Sequence, residues 1–298
     1  MGIPLKCFVH LTNPVFHQYC LAAAVAKRTG LLASRDECMA LSSGDFTRLC
    51  KILEVPEVLA RLFGDCVCEV VFRDPAQPSW HALPGAALDI AATDDTVWVI
   101  GTDASGGGYG IYRMASNDGA WERQPGGAVA IALENQTPWV VNNANEIFRW
   151  NGAGWECMPG AAIDIAAGDD GEVWAIGTNA AFGGHSIHRW DGNNWTTVPG
   201  GAERIAVDDD GNPWVANSQH LIFRGDGGSW HPVPGAARDL GAGDGGVWAV
   251  GIDPHPSGYG VYKWNGTTFD QAPGAGVRIE VGNDIYVVNN AHQIWCYR

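Results

Sequence analysis

One unit recurs six times along residues 80–298 of this 298-residue chain, and that recurrence restricts its fold more than anything else in the sequence. Trp155 opens WECMPGAAIDIAAGDDGEVWAIG, Trp230 opens WHPVPGAARDLGAGDGGVWAVG and Trp80 opens WHALPGAALDIAATDDTVWVIG. Trp121 and Trp195 open two further copies between them, and Phe269 takes the Trp place in the last. Each copy closes on a short apolar run such as EIFRW, SIHRW or QIWCY. The period of about 34–41 residues is the length at which repeats stack into arrays or rings.

Every signal within a copy is β. Ala162–Ala166 alternates in character, an Asp/Gly turn follows at 168–171, and Val173–Ile176 carries a Trp. Ser186–Trp190 and Trp195–Val198 supply two more strands, so each copy holds four. Four short antiparallel strands per copy predict a mainly β fold, a six-bladed β-propeller. The last copy stops after its third strand, while a spare fourth strand, Trp80–Leu83, stands at the start. Pairing the two would close the ring and leave no open edge between first and last blades.

A second symmetry lies over the first. Trp80, Trp155 and Trp230 are 75 residues apart, and Asp89, Asp164 and Asp239 keep the same interval. Odd copies have long Gly-rich loops between second and third strands (101–110, 177–186, 251–260), whereas even copies have short polar turns there. The ring therefore reads as three pairs of blades.

Residues 1–75 are chemically different. All fourteen Trp lie at or beyond Trp80, and six of the eight Cys lie at or before Cys68. The first 79 residues balance eight basic against eight acidic side chains, so the net charge of −15 falls on the repeats. Residues 12–64 predict a small α-helical segment: Asn13-Pro14 starts a helix, Gly30 ends it, and Ser34-x-x-Glu37 is a capping box. Val70–Arg73 echoes a third blade strand and competes with Gln293–Tyr297 for one slot, the latter keeping the order of the other copies. The expected domains are thus a helical segment over 1–75, suited to a protein partner, and a propeller over 76–298.

Charge and motifs exclude several functions. An acidic surface disfavours nucleic acid, which needs clustered Lys and Arg, and repels anionic membranes. The longest apolar run, Cys20–Ala26, is too short to span a bilayer, so no membrane insertion is expected. Asn13-Pro14 interrupts any signal-like stretch, and a long chain with a large core needs no disulfide framework. Those points predict reduced cysteines and a cytoplasmic protein, with non-classical release as the route outside. Asn135, Asn194 and Asn265 begin N-x-T sequons, which matter only after secretion. No catalytic or phosphate-binding motif is present and the nine His lack ligand spacing, so neither enzyme activity, metal nor cofactor is expected.

The pattern W-x-x-x-PG-x-A-x-x-I, a turn, V-W-A-[IV]-G, then I-[YF]-R-x-x-G-x-x-W resembles the tectonin repeat family. The resemblance covers nearly all of 80–298 and none of 1–75. It implies a propeller and glycan recognition, with bacterial lipopolysaccharide and O-methylated glycans as known ligand classes; the family also contains intracellular adaptors. The acidic repeats argue against a phosphate-directed lipopolysaccharide mode and toward neutral or O-methylated sugars.

Three sets of residues are candidates for the ligand. The second-strand aromatics Trp98, Trp139, Trp174, Trp214, Trp248 and Tyr286 either pack adjacent blades together or stack on sugar C–H bonds and O-methyl groups. Asn142, Asn143, Asn217, Asn289 and Asn290 on the even turns supply the amides that neutral sugars require. Tyr109, His185 and Tyr259 hold equivalent places on the long loops, where they either pack the loop or meet ligand. Around the first strands run Asp89, Ala130, Asp164, Arg204, Asp239 and Arg278. They read as a structural charge ring whose carboxylates stay ionised beside Arg, with Ala130 interrupting the pairing where an ion could sit. The leading expectation is a multivalent lectin; the rival is a protein-binding adaptor, and a hydrolase using the channel is a third.

Overall fold

The computed structural model of this chain describes residues 78–115, 120–168, 171–226 and 229–298. All belong to the second of two compact units, Met1–Pro75 and Ala76–Arg298. The helices expected over 12–64 and the strand at 70–73 lie outside the described residues. Among the described residues every regular element is a β-strand.

The strands make up six four-stranded antiparallel blades, hydrogen-bonded into two seven-stranded and two four-stranded sheets. The first takes the second half of β1 (Trp80–Ala92) with β2 (Val97–Ser105), β3 (Gly108–Met114) and β4 (Trp121–Ala128). The second is β5 (Ala130–Glu134), β6 (Thr137–Val141), β7 (Glu146–Trp150) and the first half of β8 (Trp155–Ala167). The second half of β8 starts the third, followed by β9 (Val173–Ala181), β10 (Gly184–Trp190) and β11 (Trp195–Ala202). The fourth is β12 (Arg204–Val207), β13 (Pro213–Ala216), β14 (Leu221–Gly225) and β15 (Trp230–Ala236). The fifth is β16 (Asp239–Gly243), β17 (Gly246–His255), β18 (Gly258–Trp264) and β19 (Phe269–Gly276). Last come β20 (Arg278–Val281), β21 (Ile285–Val288) and β22 (Gln293–Tyr297), completed by the first half of β1. Because β1 and β8 each run through two blades, two pairs of blades are hydrogen-bonded into seven-stranded sheets.

The innermost strands β1, β5, β8, β12, β16 and β20 each pack on the next, and β20 returns to β1. The ring is closed as expected, with Trp80 opposite Tyr297, Ala82 opposite Trp295 and Leu83 opposite Ile294. Closure buries Ile90, Val97 and Val99 of the first blade against Tyr286, Val288 and Ile294 of the sixth. The same apolar sandwich recurs between other neighbours, such as Trp174 and Ile176 against Ile205 and Val215. Side chains alternate along a strand, so each blade feeds two such layers, which is why the inner strands are apolar almost throughout.

The W-x-x-x-PG motif has a physical explanation that spacing alone did not reveal. The Trp and the Pro-Gly of one outer strand serve two different junctions. Trp121 Nε1 donates to the carbonyl of Pro84 in the preceding outer strand at 2.7 Å, and Trp155 does the same to Pro125 at 2.7 Å. Trp195 to Pro159, Trp230 to Pro199 and Trp80 to Pro273 repeat the bond at 2.8, 2.7 and 2.8 Å. The Gly after each Pro lets the indole lie against bare backbone. At Gly126, with φ of 90°, an added Cβ would stand 3.2 Å from Trp155 Nε1. Proline withholds an N–H from the exposed outer edge, which also discourages pairing with another chain.

Candidate ligand-binding surface

The six second-strand aromatics are turned into the interior: Trp98, Trp139, Trp174, Trp214, Trp248 and Tyr286 are only 1–9 % exposed. Trp139 meets Trp190 and Trp195 of the next blade edge-on at 5.7 and 6.2 Å, and Trp214 meets Trp264 at 5.6 Å. The polar edges of Trp139 and Trp214 are engaged as well. Trp139 Nε1 donates to Glu134 at 2.8 Å and Trp214 Nε1 to Asp208 at 2.8 Å. Over the rings lie third-strand guanidiniums, Arg149 on Trp139 and Arg224 on Trp214, both 5.5 Å from the centroid. Arg149 and Arg224 then pair with the same Glu134 and Asp208. Acid, indole and guanidinium form one repeated clamp. Of the two roles expected of these six aromatics, packing between blades is the one their burial favours.

Three of the five even-blade asparagines are likewise turned inward. Asn142, Asn217 and Asn289 are buried, and each side-chain oxygen accepts two backbone N–H groups of its own turn. For Asn217 these come from Gln219 and Leu221, both at 2.9 Å. The Asn142 amide also donates to Glu146 at 2.7 Å and that of Asn289 to Gln293 at 2.8 Å. An Asx turn of this kind replaces backbone partners that the tight reversal removes. It also holds Asn145, His220 and His292 at φ of 64°, 64° and 62°.

What remains open lies on the odd-blade hairpins. The β2–β3, β9–β10 and β17–β18 hairpins extend beyond their blades and lap over the turn of the following even blade. At each seam a hairpin carbonyl accepts a turn N–H: Gly107 from Asn143 at 2.9 Å, Gly183 from Ser218 at 2.8 Å, and Ser257 from Asn290 at 3.1 Å. Asn143 and Asn290 are exposed, although Asn290 directs its amide to the Pro256 carbonyl at 3.0 Å. Of the three loop candidates, Tyr109 is 37 % exposed. His185 is half-buried with Nδ1 3.5 Å from Glu203, and Tyr259 is half-buried under the Arg238 guanidinium at 4.1 Å. At the tip of the third-blade hairpin, Phe182 is 98 % exposed, a residue the sequence reading passed over because it has no counterpart in the other copies.

The axial ring also departs from expectation. Asp89, Asp164 and Asp239 each accept the backbone N–H of the next inner strand, from Ile131 at 3.0 Å, Ile205 at 3.2 Å and Ile279 at 2.9 Å. Burial outweighs the neighbouring guanidiniums and pushes Asp89 up to about 7 and Asp164 up to about 6; Asp239 is raised for the same reason. The carboxyls beside Arg therefore hold protons more tightly than ordinary aspartates. Asp208 at the 208–211 turn accepts from Asn212 N at 2.9 Å and pairs with Arg224, as a hairpin turn does. Among the described residues no group of three His, Cys, Asp or Glu is placed to hold a metal ion. Among them, too, no helix is long and apolar enough to cross a membrane.

The tectonin domain model matches this chain twice, over residues 127–224 and 201–298. Comparison with curated proteins gives no match. Among solved structures, the chain is similar to YCF48 bound to a D1 peptide, at 14 % identity and a TM-score of 0.46, covering 74 % of this chain and 94 % of that one. It is also similar to the WD40 β-propeller domain of Doa1, at 14 % identity and 0.46, covering 74 % and 97 %. A chain of the mitotic checkpoint complex gives 9 % and 0.49, covering 74 % and 91 %. The two family matches together span more than half of the sequence, and on them, with the W-x-x-x-PG seams they contain, the chain belongs to the tectonin domain family.

Proposed function

We propose that this propeller is a non-enzymatic lectin for neutral or O-methylated glycans, working through three equivalent sites at the seams where odd-blade hairpins overlap even-blade turns. The observation that carries this reading is the division among the candidates. The second-strand aromatics and the turn asparagines Asn142, Asn217 and Asn289 are buried, while Tyr109, His185 and Tyr259 keep exposed surface on the three hairpins. An aromatic or imidazole face on a hairpin that laps over the polar turn residues Asn143, Ser218 and Asn290 suits a sugar, which offers C–H bonds on one side and hydroxyls on the other. Shallow sites of this kind bind weakly one at a time, and a rigid ring presenting three gains by multivalency on a surface of repeating sugars.

The test is a glycan array probed with the full chain and with a triple variant, Tyr109→Ala, His185→Ala and Tyr259→Ala. The expected result is binding to neutral or methylated glycans by the first and its loss in the second. Folded wild-type protein that binds no glycan would remove the proposal. Phe182 supports a second reading, an adaptor for a protein partner. A fully exposed aromatic at a hairpin tip suits an apolar pocket better than a sugar. That reading expects a specific protein partner lost on Phe182→Ser and not displaced by methylated sugars.

A further inference from the structure

The inner strands bring four carboxyl groups and two guanidiniums to the propeller axis. Asp89 comes from β1, Asp164 from β8, Asp239 from β16, and Arg204 and Arg278 from β12 and β20. Each Arg reaches forward to the next odd blade: Arg204 Nε is 3.4 Å from Asp239, and Arg278 Nε is 3.4 Å from Asp89. The third such arginine is missing, because β5 carries Ala130 there. Asp164 is left with Arg204 behind it at 4.0 Å. Two residues further along β20 stands Glu280, where the other inner strands have Ala91, Ala132, Ala166, Ala206 and Gly241. It lines the axial channel close to its turn end, where Asp208 (paired with Arg224), Asp209 and Asp244 add negative field. The remaining charges on the inner strands or beside them are held elsewhere. Glu134 on β5 binds Trp139 and Arg149, Glu203 faces His185, and Arg238 covers Tyr259.

We propose that this ring is a proton-operated latch on blade packing: with two protons shared among the four carboxyls it balances two guanidiniums and holds the inner strands together, and with none it loosens them. What ionisation adds is repulsion between carboxylates on β1, β8, β16 and β20; against it the blades are joined by the amide bonds from Ile131, Ile205 and Ile279, which by themselves favour the ionised form. Burial raises all four groups, Glu280 most clearly, with repulsion from the three aspartates adding to it. An acid whose folded pKa lies above its unfolded value stabilises the fold most at low pH. That contribution is fully present below the unfolded value near 4 and is lost as pH rises through about 6 and 7.

The experiment compares thermal unfolding of the full chain at pH 5 and pH 8, with amide exchange read at Ile131, Ile205 and Ile279. The expected result is a Tm lower by roughly 5 °C or more at pH 8, with protection of those amides reduced relative to the outer strands. Glu280→Gln and Asp164→Asn should each shrink the pH difference, and Ala130→Arg should raise Tm more at pH 8 than at pH 5. Two variants are used because either alone could fail to fold. Glu156→Gln, at an exposed site with the same change of charge, should leave the difference as it is. The latch is overturned if wild type shows no difference, if Glu156→Gln shrinks it as much as the axial variants, or if the three amides keep their protection.

Discussion

Replacing Trp155 by Phe should remove one inter-blade hydrogen bond while leaving an aromatic ring over Gly126. The indole N–H to the Pro125 carbonyl, at 2.7 Å, contributes about 1 kcal/mol as a neutral hydrogen bond. The fused ring of the half-buried indole adds roughly 0.5 kcal/mol of apolar burial. A loss of about 1.5 kcal/mol corresponds to a fall in Tm of roughly 3–6 °C for a unit of this size. The sixth junction already carries the complementary variant, since Phe269 stands over Gly235 and brings no N–H to Pro234. Phe269→Trp should therefore raise Tm by roughly 2–4 °C if the new indole reaches that carbonyl. Thermal unfolding of the full chain, followed by near-ultraviolet circular dichroism, reads both. If Trp155→Phe is neutral and Phe269→Trp is neutral or destabilising, the indole–proline bonds are not what joins the outer strands.

Two further outcomes follow from buried polar groups. Asn217→Ala leaves the Gln219 and Leu221 amides without their acceptor and should cost about 2 kcal/mol in denaturant unfolding. Cys296, whose thiol burial and the nearby Asp284 push up to about 12, should resist iodoacetamide at pH 8 while exposed Cys157 is alkylated, as peptide mass mapping can read.

The periodic part of the molecule was legible in sequence. A repeat of fixed length with four strand signals leaves few architectures, and the stray strand at Trp80 announced how the ring closes. Whether a second-strand Trp is open or covered was not legible, because a Trp on a strand reads the same whether its face is free or lies under an Arg of the neighbouring strand. Arg149 and Arg224 decide that for Trp139 and Trp214, and their pairing is set by the blade's register. The burial of Asn142, Asn217 and Asn289 was illegible for a related reason, since an amide that caps its own turn has the composition of an amide that binds sugar. The axial carboxyls looked ionised from their arginine neighbours alone. Burial, which only the fold reveals, pushes them the other way.

The valency of the ring tests the account most directly. Isothermal titration of the full chain with a methylated monosaccharide that scores on the array should give three equivalent sites per chain. Single substitutions at Tyr109, His185 or Tyr259 should each reduce that number to two. Six sites, a single axial site, or three sites untouched by those substitutions would contradict it.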